Sequence, residues 1–380
     1  MRVYQLHYQQ GEWNKKAGSP AFDAGKCQLV IIFGASDCIS DPAFFNKVRA
    51  DFPAAQVALS STSGEIIGDN VFDDSAVVTA IEFDHTSIRP FMTNIREHGN
   101  SYETGKYLMQ QLQSEQLSNV FILSDGTHIN GSELVAGFSD NNQNNIPVTG
   151  GLAGDAARFV KTLVGLNNPP EEGNVVAIGF YGSRLKIGHG SFGGWDEFGP
   201  ERLITRSSKN LLYELDGRNA LDLYKEYLGP YVDELPGSAL LFPLSLRLNG
   251  SGENLVRTIL SINENEKSMT FAGNLPEGGK VRLMKANFDK LIDGSATAAS
   301  YSFEPLRQQK PDLAILISCV GRRLVLQKRI DEEVHAAKEI FGGHTTVTGF
   351  YSYGEISPLK PGSHCELHNQ TMTITTFSES

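Results

Sequence analysis

Three stretches of the chain end an apolar run with glycine and a carboxylate, a pairing suited to holding a ligand. They are Val57-Ala58-Leu59-Ser60-Ser61-Thr62-Ser63-Gly64-Glu65, Val148-Thr149-Gly150-Gly151-Leu152-Ala153-Gly154-Asp155 and Val347-Thr348-Gly349-Phe350-Tyr351-Ser352-Tyr353-Gly354-Glu355. Glycine allows a ligand to approach the backbone N–H groups closely, and ligands of α/β sheets sit at strand ends. Gly150, Gly151, Asp155, Tyr351, Tyr353 and Glu355 are therefore candidate pocket residues. Arg322 adds a fork that matches a carboxylate, and Asp155 or Glu355 would suit an amine. Tyr351 and Tyr353 would wall such a site. The competing role for these turns is structural: glycines that reverse the chain and acids that cap amides.

Signals for catalysis are weaker. Cys319 lies beside Arg322 and Arg323, and nearby cations favour a thiolate, although a lone cysteine at a strand end more often packs a core. Gly126-Thr127-His128-Ile129-Asn130-Gly131 contains a histidine but lacks a nucleophile elbow. Gly193-Gly194-Trp195 is not a dinucleotide fingerprint, and neither GxxxxGK[ST] nor HExxH occurs. The expectation is a binding protein and not an enzyme; turnover lost on Cys319→Ser would be required of the catalytic alternative.

The elements that position these residues repeat. A buried-type strand, a Gly-rich turn, a helix and a second strand recur from Leu29, from Val120 and from Leu313, with a fainter copy over Ala239–Gly278. Helices are predicted near Pro42–Ala50, Ser132–Phe138 and through Ile330, Val334, Ala337 and Phe341, which fall on one stripe. Ala76–Phe83 with Ile88–Met92, and Val175–Phe180 with Leu185–His189, read as hairpins. The fold class expected is α/β: two related lobes built from internal β-α-β repeats with additional antiparallel strands, helices covering the sheets. A lead-in strand occupies residues 1–26, a first domain 27–229 and a second 230–380, the division following a helix closed by Gly229.

Composition narrows the partners. The net charge of −11 over 380 residues, without a basic block, argues against nucleic acid. The longest apolar runs are strand-length, short of the roughly 20 residues that span a bilayer, and the N-terminus lacks the apolar run of a signal peptide. Four scattered cysteines without CxxC spacing read as reduced thiols. A cytoplasmic protein is expected.

The motifs together resemble the FIST family. Gly150-Gly151-Leu152-Ala153-Gly154-Asp155, preceded by Asp125-Gly126 and Asn130-Gly131, is similar to the signature of its N-terminal domain. Cys319-Val320-Gly321-Arg322-Arg323, Glu332-Glu333, Gly349 to Ile356 and Leu367-His368-Asn369-Gln370-Thr371 resemble its C-terminal domain, and Leu215 to Leu221 the joint between them. The resemblance runs from about Cys27 to Phe377 and adds Asn369 to the pocket candidates. One departure is that Leu59-Ser60 stands before Ser61-Thr62 where the family commonly has Gly-Cys.

The resemblance implies an intracellular sensory domain that binds a small molecule and reports to a partner protein. Some bacterial members of this layout bind haem and sense nitric oxide with a histidine kinase; others are proposed to bind amino acids or similar metabolites. Haem would require an axial ligand, most simply a neutral imidazole. Among the nine histidines, His189 ranks first because Gly188 and Gly190 flank it and Phe192 and Trp195 follow. His128 and His368, each inside a family motif, come next; His7, His85, His98, His344 and His364 are unranked candidates, His335 falls on the exposed side of its helix, and Cys319 is an alternative thiolate ligand. A haem-based sensor of nitric oxide signalling through a partner histidine kinase is the first expectation, and a sensor of an amino acid or other small polar metabolite the alternative.

Overall fold

The structure is a computed structural model that describes residues 1–235, 237–248, 254–306, 309–358 and 365–380. Three β-α-β units recur along it. The first comprises β1 (Arg2–Gln9), β2 (Glu12–Gly18), β3 (Leu29–Gly34), α1 (Ser36–Ile39), α2 (Pro42–Asp51) and β4 (Gln56–Ser61). It ends with β5 (Glu65–Ile67), β6 (Asn70–Phe72) and β7 (Ser75–Glu82). The second comprises β8 (Ser87–Asn94), α3 (Ser101–Leu112), β9 (Leu117–Ser124), α4 (Gly131–Asp140), β10 (Val148–Leu152), β11 (Val164–Leu166) and β12 (Asn174–Tyr181).

The third unit starts with β13 (Leu185–Phe192) and is then interrupted by a long insertion. That insertion holds β14 (Asp196–Ser208), β15 (Leu211–Leu215), β16 (Arg218–Asn219), α5 (Ala220–Leu228) and β17 (Leu244–Arg247). It continues with β18 (Asn254–Arg257), β19 (Ile259–Asn263), β20 (Ser268–Phe271) and β21 (Lys280–Lys285). The unit resumes with α6 (Phe288–Phe303), β22 (Leu313–Cys319), α7 (Val320–Leu326), α8 (Ile330–Phe341) and β23 (Thr346–Ser352). It closes with β24 (Gly354–Pro358), β25 (Cys365–His368) and β26 (Met372–Glu379).

Each unit builds one six-stranded sheet around a parallel pair: β3 with β4, β9 with β10, and β22 with β23. The central strands are unbroken apolar runs because both of their faces are covered. Helices pack on the outer faces. Phe44, Phe45 and Val48 of α2 pack on the first sheet, Leu134 and Phe138 of α4 on the second, and Val334, Ala337 and Phe341 of α8 on the third. The inner faces meet in one common core, where Phe33, Phe121, Ile178, Ile317, Phe350 and Phe377 come together. Phe33 stacks on Phe350 across two sheets, with ring centroids 4.7 Å apart.

The sheets are joined by a cyclic exchange of strands. After its parallel pair, each unit sends a short strand to the edge of a neighbour: β5 of the first pairs with β23, β24 of the third pairs with β10, and β11 of the second pairs with β4. All three sheets thus depend on one another, and strands from both sides of residue 229 share the second and third sheets.

The α/β class with internal β-α-β repeats, antiparallel additions and covering helices is the architecture expected from the sequence. Two details differ. Ala76–Phe83 and Ile88–Met92 do not pair: β7 belongs to the first sheet and β8 to the second. Likewise β12 and β13 lie in the second and third sheets, so each short link steps between layers instead of reversing within one. The fainter copy over Ala239–Gly278 is also not a β-α-β unit, since its strands enter an antiparallel eight-stranded sheet with its own core around Leu212, Tyr224, Met269 and Phe271.

Candidate functional site

The three glycine-acid turns are the crossings at which a strand leaves its own sheet. Ser63 N–H donates to the Tyr351 carbonyl, Gly154 N–H to Ser61, and Tyr353 N–H to Leu152. These bonds align Glu65 with Glu355, but they align both with Ala156. Asp155 therefore stands one position early, where the other turns have Gly64 and Gly354. That slip separates the acids into two kinds.

Glu65 and Glu355 point inward and tie their crossings. Glu65 accepts from the hydroxyls of Thr62 and, at 2.7 Å, Ser75. Glu355 accepts from the Ser352 hydroxyl at 2.8 Å and from the Thr371 hydroxyl and amide at 3.0 and 3.2 Å. Burial pushes the carboxyl of Glu65 up to about 7 and that of Glu355 to about 8, because a buried charge is disfavoured.

Asp155 faces the loop that follows it. The N–H groups of Phe159, Val160 and Lys161 donate to its carboxylate at 2.8–3.0 Å, and the Tyr353 hydroxyl donates to it as well. The loop bends sharply to do this, with positive φ at Ala156 and Phe159. The result is that the Phe159 ring lies stacked on Tyr353, centroids 4.4 Å apart.

This stack forms one wall of a cleft of about 270 Å³ at the carboxyl ends of β9 and β10. Its second unit side consists of Gly126, Thr127, His128, Ile129, Asn130 and Leu152, and the inserted sheet contributes Asn210, Leu260, Phe271 and Ala272. Buried Asp125 organises the loop beneath it. Its carboxylate accepts from Thr127 N and His128 N at 2.8 and 2.5 Å and from Gly173 N at 3.0 Å, and it meets His128 Nδ1 at 3.3 Å. Occupying Nδ1 this way directs the imidazole's Nε2 outward; the ring is 44% exposed, and Nε2 has no hydrogen-bond partner among the described residues. Asn130 caps α4 by accepting from Glu133 N–H, which places the helix N-terminus at the cleft.

Of the residues singled out by sequence, His128 and Tyr353 line this cleft and Asp155 supports its wall. The others lie elsewhere. Gly150 has φ of +145° and would carry a Cβ into the Ile122 backbone, while Gly151 faces Ile317 and Phe350 in the core. Arg322 is wholly buried and already paired: it donates to Glu333 at 2.7 and 2.9 Å and to the carbonyls of Leu291 and Gly193. Tyr351 donates to the same Glu333. Neither is free to clamp or wall a ligand here. Cys319 is buried, and desolvation drives its thiol well above the ordinary range, opposite to the thiolate expected from its arginine neighbours. Asn369 is buried and donates to the His368 carbonyl.

The other two histidines ranked by sequence, His189 and His368, are unsuited to an axial bond. The glycines beside His189 do not leave room for a macrocycle, because a Cβ on Gly188 or Gly190 would overlap the carbonyls of Ser302 and Ala298 in α6. That space belongs to the helix. His189 itself is buried on the opposite face, and desolvation lowers its pKa. His368 is buried, bonded through Nε2 to the Ser357 carbonyl at 2.9 Å, and lowered to about 4 by burial. His364 lies outside the described residues. Phe159, Leu260 and Asn210 were not foreseen; the only local signal was Asp125-Gly126-Thr127-His128, a turn sequence in which the acid can hold the following amides.

Among the described residues no cluster of three or more His, Cys, Asp or Glu side chains could hold a metal ion, and no helix is long and apolar enough to cross a membrane. Three mutually braced mixed sheets with an inserted antiparallel sheet define an α/β protein. Residues 28–218 match the FIST N domain and residues 220–358 the FIST C domain; the chain belongs to the FIST family. FIST domains are sensory domains that bind small ligands in signal transduction. No curated protein sequence matches the chain.

Proposed function

We propose that this chain is a sensor whose ligand, an amino acid or another small polar metabolite, occupies the His128–Tyr353 cleft and is reported to a signalling partner, foremost a histidine kinase. The observation that carries this reading is the convergence of an outward imidazole, an aromatic wall and a helix N-terminus on one cleft. A carboxylate suits the helix end, His128 Nε2 suits a polar group, and the Phe159–Tyr353 stack suits an apolar side chain. The volume lies just under the roughly 300–1,000 Å³ of drug-sized sites, which favours an amino-acid-sized molecule. Phe159 and Leu260 form an exposed apolar rim, and their rearrangement would alter the surface a kinase meets. The ligand must favour one arrangement by a few kcal/mol for this to signal. A calorimetric titration with free amino acids tests the reading: binding that His128→Ala abolishes supports it, and binding unaffected by that change contradicts it.

A second reading, haem-based sensing of nitric oxide, draws support from His128 alone. Its Nδ1 is held by a buried carboxylate, the outer-shell arrangement typical of metal-bound histidine, and Nε2 faces the cleft. Haem would supply the gas-binding iron, His128 its axial nitrogen and the Phe159–Tyr353 stack an apolar cover. A stoichiometric Soret band that shifts with nitric oxide and is lost in His128→Ala is expected on this reading; persistence of the band in that variant contradicts it.

A further inference from the structure

The three sheet interfaces are equivalent by register, and they differ chemically. Where the first sheet meets the third, Gln5 and Thr79 are cross-strand partners and Thr348 lies opposite. Gln5 Nε2 donates to the Val347 carbonyl at 3.1 Å, and the Thr79 and Thr348 hydroxyls bond at 3.0 Å. Where the second meets the first, the equivalent residues are Pro90, Ile178 and Ala58, an apolar set that needs no partner. Where the third meets the second, they are His189, Thr375 and Thr149.

That last interface is polar without being satisfied. His189 Nδ1 and Thr149 Oγ1 are buried and have no hydrogen-bond partner among the described residues. On the same inner face, at the position of Leu29 and Leu313 in the other sheets, stands Asn119, wholly buried with both amide atoms unpartnered. Its cross-strand neighbour Phe180 packs on Phe377 of the third sheet and on Phe83 beside the first, centroids 5.5 and 6.0 Å apart, so the asparagine stands where the three inner faces converge. An unmet buried donor or acceptor bears the full cost of its desolvation, and here four such atoms lie on inner sheet faces.

We propose that the interface between the second and third sheets encloses a binding site, bounded by Asn119, Thr149 and His189, for a small uncharged donor–acceptor molecule: water or a guest of carboxamide size. A carboxamide matches because that of Gln5 satisfies the equivalent interface. A charged guest does not, since among the described residues no free countercharge faces the site: Glu355 is tied to Ser352 and Thr371, and Arg322 to Glu333. The site is separate from the His128 cleft and stands whether or not that cleft binds a metabolite.

Thr149→Val keeps the shape and removes one hydroxyl. If a guest bonds to that hydroxyl, the variant melts at a lower temperature than the wild type; if nothing does, removing an unmet polar atom raises the melting temperature or leaves it unchanged, which overturns the proposal. The wild-type protein supplies a second measurement should the variant fail to fold. The ring nitrogens of His189, followed by ¹⁵N resonance while formamide is added, shift saturably if a carboxamide enters; magnetisation transfer from water to the ring without a formamide response assigns the site to water. The absence of both responses overturns the proposal.

Discussion

At the scale of residues, one displaced carboxylate separates structure from function. Glu65 and Glu355 bind their own crossings, whereas Asp155, one position early, binds a loop and sets an aromatic wall. Tyr353→Phe removes one donor to Asp155 and leaves its three amides, so the loop should open more often without unfolding; faster hydrogen exchange at residues 159–161, with unchanged exchange in β9, checks this. Glu355 carries a pH dependence of known sign. In the fold its carboxyl stays protonated up to about 8, while an unfolded glutamate ionises near ~4.3. The fold then binds more protons, so this contribution is full below the unfolded value and is lost as pH rises through about 8. The melting temperature of Glu355→Gln should therefore gain on that of the wild type between about pH 5 and pH 8. His368, lowered to about 4, acts in the opposite direction below about 6.5, but it is common to both proteins and cancels in the comparison.

At the scale of elements, the strands and helices were legible because their signals are local. Leu29–Gly34, Val120–Leu123 and Leu313–Ile317 are apolar runs too short for helices, and Asp41 and Asn130 cap the helices that follow. What strand ends pair with is not local. Nothing in Ser75 to Asn94 distinguishes a hairpin from a step between sheets, and nothing in Glu65–Ile67 announces β23 as its partner. The glycines around His189 show the same limit: their spacing signals close approach, but not that α6 is what approaches. Gly190→Ala would push a methyl into the Ala298 carbonyl, and overpacking of this kind costs about 1–3 kcal/mol. Urea denaturation should show that loss, without any change in ligand binding at the cleft.

At the scale of the molecule, the cyclic exchange of β5, β24 and β11 makes the three sheets one cooperative body, even though two family domains divide the sequence. Phe350→Ala, in the shared core, should cost about 3–5 kcal/mol and still give one unfolding transition, with far-UV and aromatic signals coincident. Two separated transitions would mean that the sheets stand alone. The cleft depends on this assembly, because its walls come from the second unit, the third unit's Tyr353 and the inserted sheet. That is why His128 and Tyr353 were legible singly, as motif residues, but not as a pair. The most direct measurement is a melting-temperature screen of the wild type and Phe159→Ala against free amino acids and small polar metabolites. The account predicts that at least one compound stabilises the wild type by ~2.7 kcal/mol at a hundredfold excess over its dissociation constant, and that Phe159→Ala loses most of that effect. No stabilising compound, or equal stabilisation of both proteins, would contradict it.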